Sequence, residues 1–257
     1  MNLTFLGISG GVQSRDSGNV SFFVTEDKTA ILVEVSGNPA GELIACGVDP
    51  AELDAVLLSH GHVDHIYALP SLLHNMWLLK RSRPLLVFAN LETLETARSL
   101  CAVFGLDKKS GMFGLKWTVL PKQAIALGPF ILETFPTVHG VSALGFVFSA
   151  GGRKLAYFAD TAPLTYSPLP VVGVNAVIHE AGGVEDDEGA LNAQGHCSGR
   201  QAALAIGKIS LTRQDPPTLF LCHLPPDPEK QVAILAEARL IHPGQTLIPT
   251  LFSPYSI

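Results

Sequence analysis

Apolar residues in this chain fall into short runs that end on a polar residue, a glycine or a proline. Residues 4–6, 20–24 and 31–35 have the length and the β-branched and aromatic content of opening strands. Residues 42–46 read as a short helix closed by Gly47, and Asp49-Pro50 as an N-cap with proline at the first helical position. A buried strand at 55–58 runs into Ser59-His60. After Pro70, the spacing of Leu72, Leu73, Met76 and Trp77 marks one face of a helix. Residues 90–104 give a second helix, with Leu94, Ala97, Cys101 and Phe104 in one stripe and Gly105 at its end.

The period then returns to that of strands. Residues 130–135, 143–149 and 154–159 are predicted strands, the last two joined by Gly151-Gly152, a favoured two-residue hairpin turn. Further strands are predicted at 174–178 and 218–221, with a helix from Ser198 to about Ile209 between them and another after Asp227-Pro228. A mixed α/β layered fold follows. The least structured stretch is 182–195. It carries the acidic cluster Glu185-Asp186-Asp187-Glu188 and lies where loops beside strand ends commonly hold function.

A length of 257 residues suits one domain spanning 1–257. With 47% hydrophobic and only 16% charged residues, disorder is excluded and apolar surface is left for an oligomer contact. No apolar run reaches the ~18 residues of a membrane helix. Seventeen basic against 23 acidic residues give a net charge of −6 and no footprint for a long nucleic acid. Lys80-Arg81-Ser82-Arg83 and Lys108-Lys109 are the compact basic groups and read as solvated helix ends. The N-terminus has no positive leader segment and reads as a strand. Cys46, Cys101, Cys197 and Cys222 form no C-x-x-C pair, which fits reduced thiols in a cytoplasm. If the backbone is extended there, Cys197 and Cys222 face away from His196 and His223.

Seven of the nine histidines lie at or just beyond predicted strand ends. The densest group, His60-Gly61-His62-Val63-Asp64-His65, puts three imidazoles and a carboxylate within six residues. Imidazole and carboxylate suit borderline divalent metals such as zinc, and two ligand pairs side by side suggest two ions. Later strands run into His139, Asp160 and His223. Taken singly, Asp160 is also a turn cap and either histidine a core residue; beside the first cluster, the three supply the bridging and closing ligands that two metals need.

These residues resemble the metallo-β-lactamase superfamily of hydrolases, and within it the ribonuclease Z-like branch. The H-x-H-x-D-H signature is His60, His62, Asp64 and His65, followed by motifs at His139, Asp160 and His223. Gly7, Gly10-Gly11, residues 65–73, Gly145-Phe146, His179-Glu180-Ala181 and His196-Cys197-Ser198 also resemble that branch. The resemblance implies an αββα four-layer sandwich in a single domain. It implies one metal on His60, His62 and His139, a second on Asp64, His65 and His223, and Asp160 bridging. Zinc is the usual ion, with manganese or iron as alternatives, and Asp64 is also placed to orient the attacking water. Glu180 and His196 match a proton relay that protonates a leaving alkoxide, whereas His74 and His242 have no such role and His179 supports a strand end.

The long arm with which ribonuclease Z grips transfer RNA, inserted between the motifs of His139 and Asp160, is missing here; a short hairpin stands in its place. The expectation is therefore a dinuclear phosphodiesterase for a small or single-stranded phosphodiester, and not for folded transfer RNA. The alternatives are a thioester or lactone hydrolase with the same metals, and a non-catalytic metal-binding protein. A homodimer is expected, with the Trp77 helix among the candidate contact surfaces.

Overall fold

Two seven-stranded sheets lie face to face in the computed structural model, which describes residues 1–120, 124–210 and 215–257, with side chains at all of these except 208–210. The first half of the chain builds β1 (Asn2–Gly7), β2 (Ser21–Glu26) and β3 (Thr29–Val33), an antiparallel meander. There follow α1 (Pro39–Ala45), β4 (Ala55–Leu57), α2 (Val63–Ile66), α3 (Leu69–Leu78), β5 (Leu85–Ala89), α4 (Leu91–Val103) and β6 (Leu115–Val119). The second half starts with antiparallel β7 (Ile125–Leu127), β8 (Phe130–Pro136), β9 (Leu144–Ala150) and β10 (Arg153–Tyr157). It continues through β11 (Ala176–Glu180), α5 (Glu188–Ala193), α6 (Gly199–Ser210), β12 (Thr218–Cys222), α7 (Pro228–Ile241) and β13 (Thr246–Leu247). Finally β14 (Pro254–Ser256) returns antiparallel to β1.

The sheet orders are β14-β1-β2-β3-β4-β5-β6 and β13-β12-β11-β10-β9-β8-β7. Strands β3 to β6 pair in parallel, as do β10 to β13, and the helices lie in the crossovers. Parallel strands covered on both faces must be apolar on both, and alternate residues divide between two cores. Ile31, Val33, Ala55 and Leu57 enter the core between the sheets, and the same connected core continues through the second sheet to Ala202 and Ile206 of α6 and Ile234 and Ala238 of α7 on its outer face. Leu32, Val56 and Leu58 enter a second core with Leu43 of α1, Leu72, Leu73 and Met76 of α3, and Leu94 and Ala97 of α4. The layers are thus helix, sheet, sheet, helix: the αββα sandwich. No helix among the described residues is long and apolar enough to cross a membrane.

Capping explains several boundaries. Asn90 Oδ1 accepts from Thr93 N at the start of α4, and Gly105 past its end has φ +65°. Ser198 and Gln201 exchange side-chain and backbone hydrogen bonds at the start of α6, a reciprocal capping box. Gly151 and Gly152 take φ +57° and +75°, the two positive values that a tight β9–β10 hairpin requires.

Some expectations change. The first helix begins at Pro39, one turn earlier than read, because Asn38 caps it. Strands β5, β6, β7, β13 and β14 fall where the sequence pattern places none; β13 and β14 are short and at sheet margins, and partner strands define them more than their own residues do. The stretch 182–195 is structured, with a 3-10 turn at Glu185–Asp187 followed by α5. Its acidic cluster is largely matched: Arg200 reaches Glu185 and Glu188, and Lys230 reaches Asp187 at 2.9 Å. In the first basic group, Arg81 is buried and donates to the carbonyls of Ala51, Arg83 and Pro84, and Arg83 pairs with Asp54. These arginines therefore tie loops together and are not solvated helix ends. Trp77 is not a bare apolar face either, since Lys109 and His74 both lie against its ring.

Candidate metal centre

Strands β4, β10, β11 and β12 all end at one edge of the paired sheets, and the residues that follow them converge there. His60 follows β4, and His62 stands immediately before α2, whose first turn carries Asp64 and His65. His139 lies after β8, Asp160 after β10 and His223 directly after β12. Glu34, Ala159 and His223 take φ of +57°, +53° and +53°, left-handed conformations that cost a non-glycine residue on the order of 1 kcal/mol or more. Such strain at three neighbouring strand ends is characteristic of a functional edge.

Three imidazole nitrogens face one another: His62 Nδ1 is 3.1 Å from His60 Nε2 and 3.0 Å from His139 Nε2. A second set comprises Asp64, His65 and His223, with Asp64 Oδ2 3.5 Å from both His65 Nε2 and His223 Nε2. Asp160 Oδ2 stands between the sets. It is 3.7 Å from His60 Nε2 and 3.9 Å from His139 Nε2 on one side, and 3.4 Å from His65 Nε2 and 3.3 Å from His223 Nε2 on the other. All seven sequence-predicted ligand residues are therefore brought together, in groups whose donor atoms lie within 4.8 Å of one another.

The donor set fits divalent cations on two grounds. Buried polar atoms are almost always hydrogen-bonded, yet His65 Nδ1 and Nε2, Asp160 Oδ1 and His223 Nε2 are buried here without a partner. Burial, followed by the charge of His65, pushes the His60 imidazole down to about 2, so it stays in the neutral form that ligates metal. Burial alone would raise the Asp160 carboxyl; attraction to His223 and His65 prevails and holds it well below the usual carboxylate range.

Outer contacts fix the rings. Ser59 Oγ is 2.8 Å from His60 Nδ1, and His139 Nδ1 donates to the Gly195 carbonyl at 2.9 Å. Gly195 has φ +82°, and a Cβ there would come within 2.9 Å of His139 Nδ1, so only glycine allows the approach. Partners of this kind set ring orientation and tautomer.

Glu180 ends β11, fully buried. It accepts from the backbone N–H of Thr161 and of Cys197, the latter at 3.1 Å, and its Oε2 is 3.1 Å from His196 Nδ1. Burial, and then the charge of Asp160, push the Glu180 carboxyl well above its ordinary range. His196 stacks on His223 with ring centroids 5.1 Å apart, and its Nδ1 is 4.0 Å from Asp160 Oδ2. Both predicted relay residues therefore stand beside the ligand sets and in contact with each other.

The sequence reading missed Glu34. It follows β3, is fully buried, accepts from Ser59 N at 3.3 Å with both oxygens, and lies 3.6 Å from His65 Nδ1. The signal was the one that found His139 and His223, an apolar strand running into a polar residue. Cys197 and Cys222 are buried thiols outside every ligand set, and Cys222 belongs to the core between the sheets. His179 is buried against Phe158 at 4.8 Å and donates to the Glu180 carbonyl, His242 contacts the Pro217 carbonyl at 2.7 Å, and His74 stacks on Trp77.

A chain with this geometry has relatives. Ribonuclease Z of Bradyrhizobium diazoefficiens is 27% identical over 217 residues, covering 82% of this chain and 70% of that protein. Ribonuclease Z of Methanococcus maripaludis is 27% identical over 150 residues, 58% of this chain and 48% of that protein, so the chain spans about half the length of several curated relatives it matches. The metallo-beta-lactamase fold protein YhfI from Bacillus subtilis superposes with a TM-score of 0.85 at 20% identity, over 99% of both chains. Residues 39–223, which contain every one of the seven converging histidines and aspartates, match the beta-lactamase superfamily domain, and the chain belongs to that superfamily.

Proposed function

We propose that the chain, read as one hydrolase domain over 1–257, is a dinuclear metal-dependent phosphodiesterase acting on a small or single-stranded phosphodiester. The observation that carries this reading is the Glu180–His196 pair beside the Asp160 carboxylate. His60, His62 and His139 would hold one divalent ion, Asp64, His65 and His223 the other, and Asp160 both. Zinc suits this donor set, with manganese or iron as the alternatives. When bound, such ions polarise the phosphoryl group, acidify the attacking water and take up developing charge.

The protein's own groups supply the rest. Asp64 orients the attacking water through its carboxylate. His196 Nδ1 is engaged by Glu180, which fixes the ring and leaves Nε2 to donate a proton to the departing oxygen. An alkoxide needs that proton, whereas a thiolate leaves without one, so the pair favours a phosphodiester over a thioester. The tight β9–β10 hairpin, in the span where ribonuclease Z carries its arm, supports a substrate other than folded transfer RNA.

We place the protein in the cytoplasm on the support of its four free thiols, and as a homodimer on its low charged fraction. A light-scattering mass of one chain, 27.3 kDa, at micromolar concentration would contradict the dimer. For the activity, His196→Ala retains both metals and slows an alkyl phosphodiester by roughly 10²–10⁴-fold, but an activated aryl ester much less. Equal losses on the two esters, or thioester turnover above phosphodiester turnover in the unaltered protein, would overturn the reading.

A further inference from the structure

Residues 74–117 carry seven of the chain's seventeen Lys and Arg but only three of its 23 Asp and Glu. The acidic excess thus belongs entirely to the rest of the molecule. Two of these cations face a groove of ≈ 610 Å³ on the outer side of the α4–β6 region, lined by Arg98, Ser99, Asp107, Lys109, Met112 and Trp117 among others. Among the described residues, neither Arg98 nor Lys109 has a carboxylate within ion-pair distance. Each is seated instead on an indole: the Arg98 guanidinium lies 5.6 Å from the Trp117 ring centre, and Lys109 Nζ lies 4.1 Å from that of Trp77. A ring holds a cation in place without neutralising it, so both charges remain available to an anion.

The groove also extends toward the end of α2, the helix that carries Asp64 and His65. Leu106 and Lys109 are shared with a second depression of ≈ 360 Å³ lined by Tyr67, His74 and Phe104, and Tyr67 follows His65 by two residues. On the other side, Thr96 of α4, two residues before Arg98, borders Gly61 between His60 and His62: a Cβ at Gly61 would lie 3.6 Å from Thr96 Oγ1. Phe104, which lines the second depression with Lys109, is 67% exposed and leaves a face free.

We propose that this strip is a docking track for a single strand of nucleic acid whose scissile phosphodiester lies at the metal centre, with Arg98 and Lys109 on its phosphates and Phe104 under an unpaired base. The proposal rests on the phosphodiesterase reading above and makes the substrate class an oligonucleotide strand. Two ring-seated cations lining one groove, with an exposed ring in the adjoining depression, offer partners for phosphates and for an unstacked base. The acidic remainder of the surface repels the same polyanion elsewhere and so favours this one route.

The test is fluorescence anisotropy with the full, metal-loaded protein and a labelled single-stranded RNA of roughly ten nucleotides, titrated over a range of salt. The Arg98→Ala/Lys109→Ala protein should bind on the order of ten-fold more weakly, and the slope of log K against log salt should fall by about 1.4, that is about 0.7 for each lost phosphate contact. Arg98→Lys/Lys109→Arg should restore the slope, a readout that a purely structural role would not move. Unchanged affinity or slope in the double alanine protein would overturn the track. So would absence of RNA binding at low salt, or binding of phosphatidylserine vesicles in place of RNA. Turnover of an aryl phosphodiester by the unaltered protein tests the metal centre separately, because that ester has no nucleotide chain to lie along the groove.

Discussion

Glu34 stands behind His65, its Oε1 3.6 Å from the Nδ1 of a ring whose Nε2 faces Asp160 and Asp64. Both residues are buried, so the imidazole is enclosed by carboxylates on its two nitrogen edges. Glu34 also receives the Ser59 N–H and thereby ties the end of β3 to the turn that carries His60. Glu34→Gln should keep the fold and weaken metal binding on the His65 side by roughly 10–100-fold. Equilibrium dialysis checks this; undiminished affinity for both equivalents would show that the Ser59 contact is the only role of Glu34.

Asp160 Oδ2 reaches toward both ligand sets, which separates it from every other carboxylate in the site. Asp160→Ala should therefore lose more than one equivalent of metal, whereas His62→Ala should lose about one. Elemental analysis of protein purified without chelator reads the difference. Retention of both ions by the Asp160 variant would remove it from the bridge.

Cys222 precedes His223 but lies in the core between the sheets, where burial, and then the charge of Asp160, push its thiol well above the usual range. A neutral buried thiol is a poor ligand. Cys222→Ser should leave metal content unchanged and act on stability alone, by about 1 kcal/mol for a hydroxyl in an apolar site. Loss of one equivalent on substitution would make Cys222 a ligand.

His179 supplies a pH test outside the ligand sets. Burial pushes its imidazole down from 6.5 to about 4, although its hydrogen bond to the Glu180 carbonyl opposes this. The unfolded chain then binds the proton more readily, so the neutral ring's contribution is complete above pH 6.5 and is lost as pH falls toward 4. The full effect is about 3 kcal/mol. In urea titrations of metal-free protein, the stability advantage over His179→Gln should shrink by that amount between pH 7 and pH 4. A pH-independent difference would exclude His179 as a source of acid sensitivity.

The sequence determined what local spacing can hold. His60, His62, Asp64 and His65 lie within six residues, so their chemistry was legible before any fold was known. The unbroken apolar runs of β3 and β4 and the caps at Asn90 and Ser198 likewise act within a few residues of chain. The hairpin at Gly151-Gly152 was legible for the same reason. Which face of β3 a carboxylate would meet was not local. Glu34 became part of the site only when β3 paired beside β4 and set it against His65, a neighbour 31 positions away in the chain. The acidic run at 185–188 read as a charged loop because Arg200 and Lys230 reach it from two different helices. Lys109 read as half of a solvated basic pair, and Arg98 drew no reading, because the indoles that seat them come from α3 and β6. Ligand identity is encoded in short motifs; the partners that orient ligands, neutralise acids or hold cations are long-range contacts, and only packing of the two sheets and their helices brings those together.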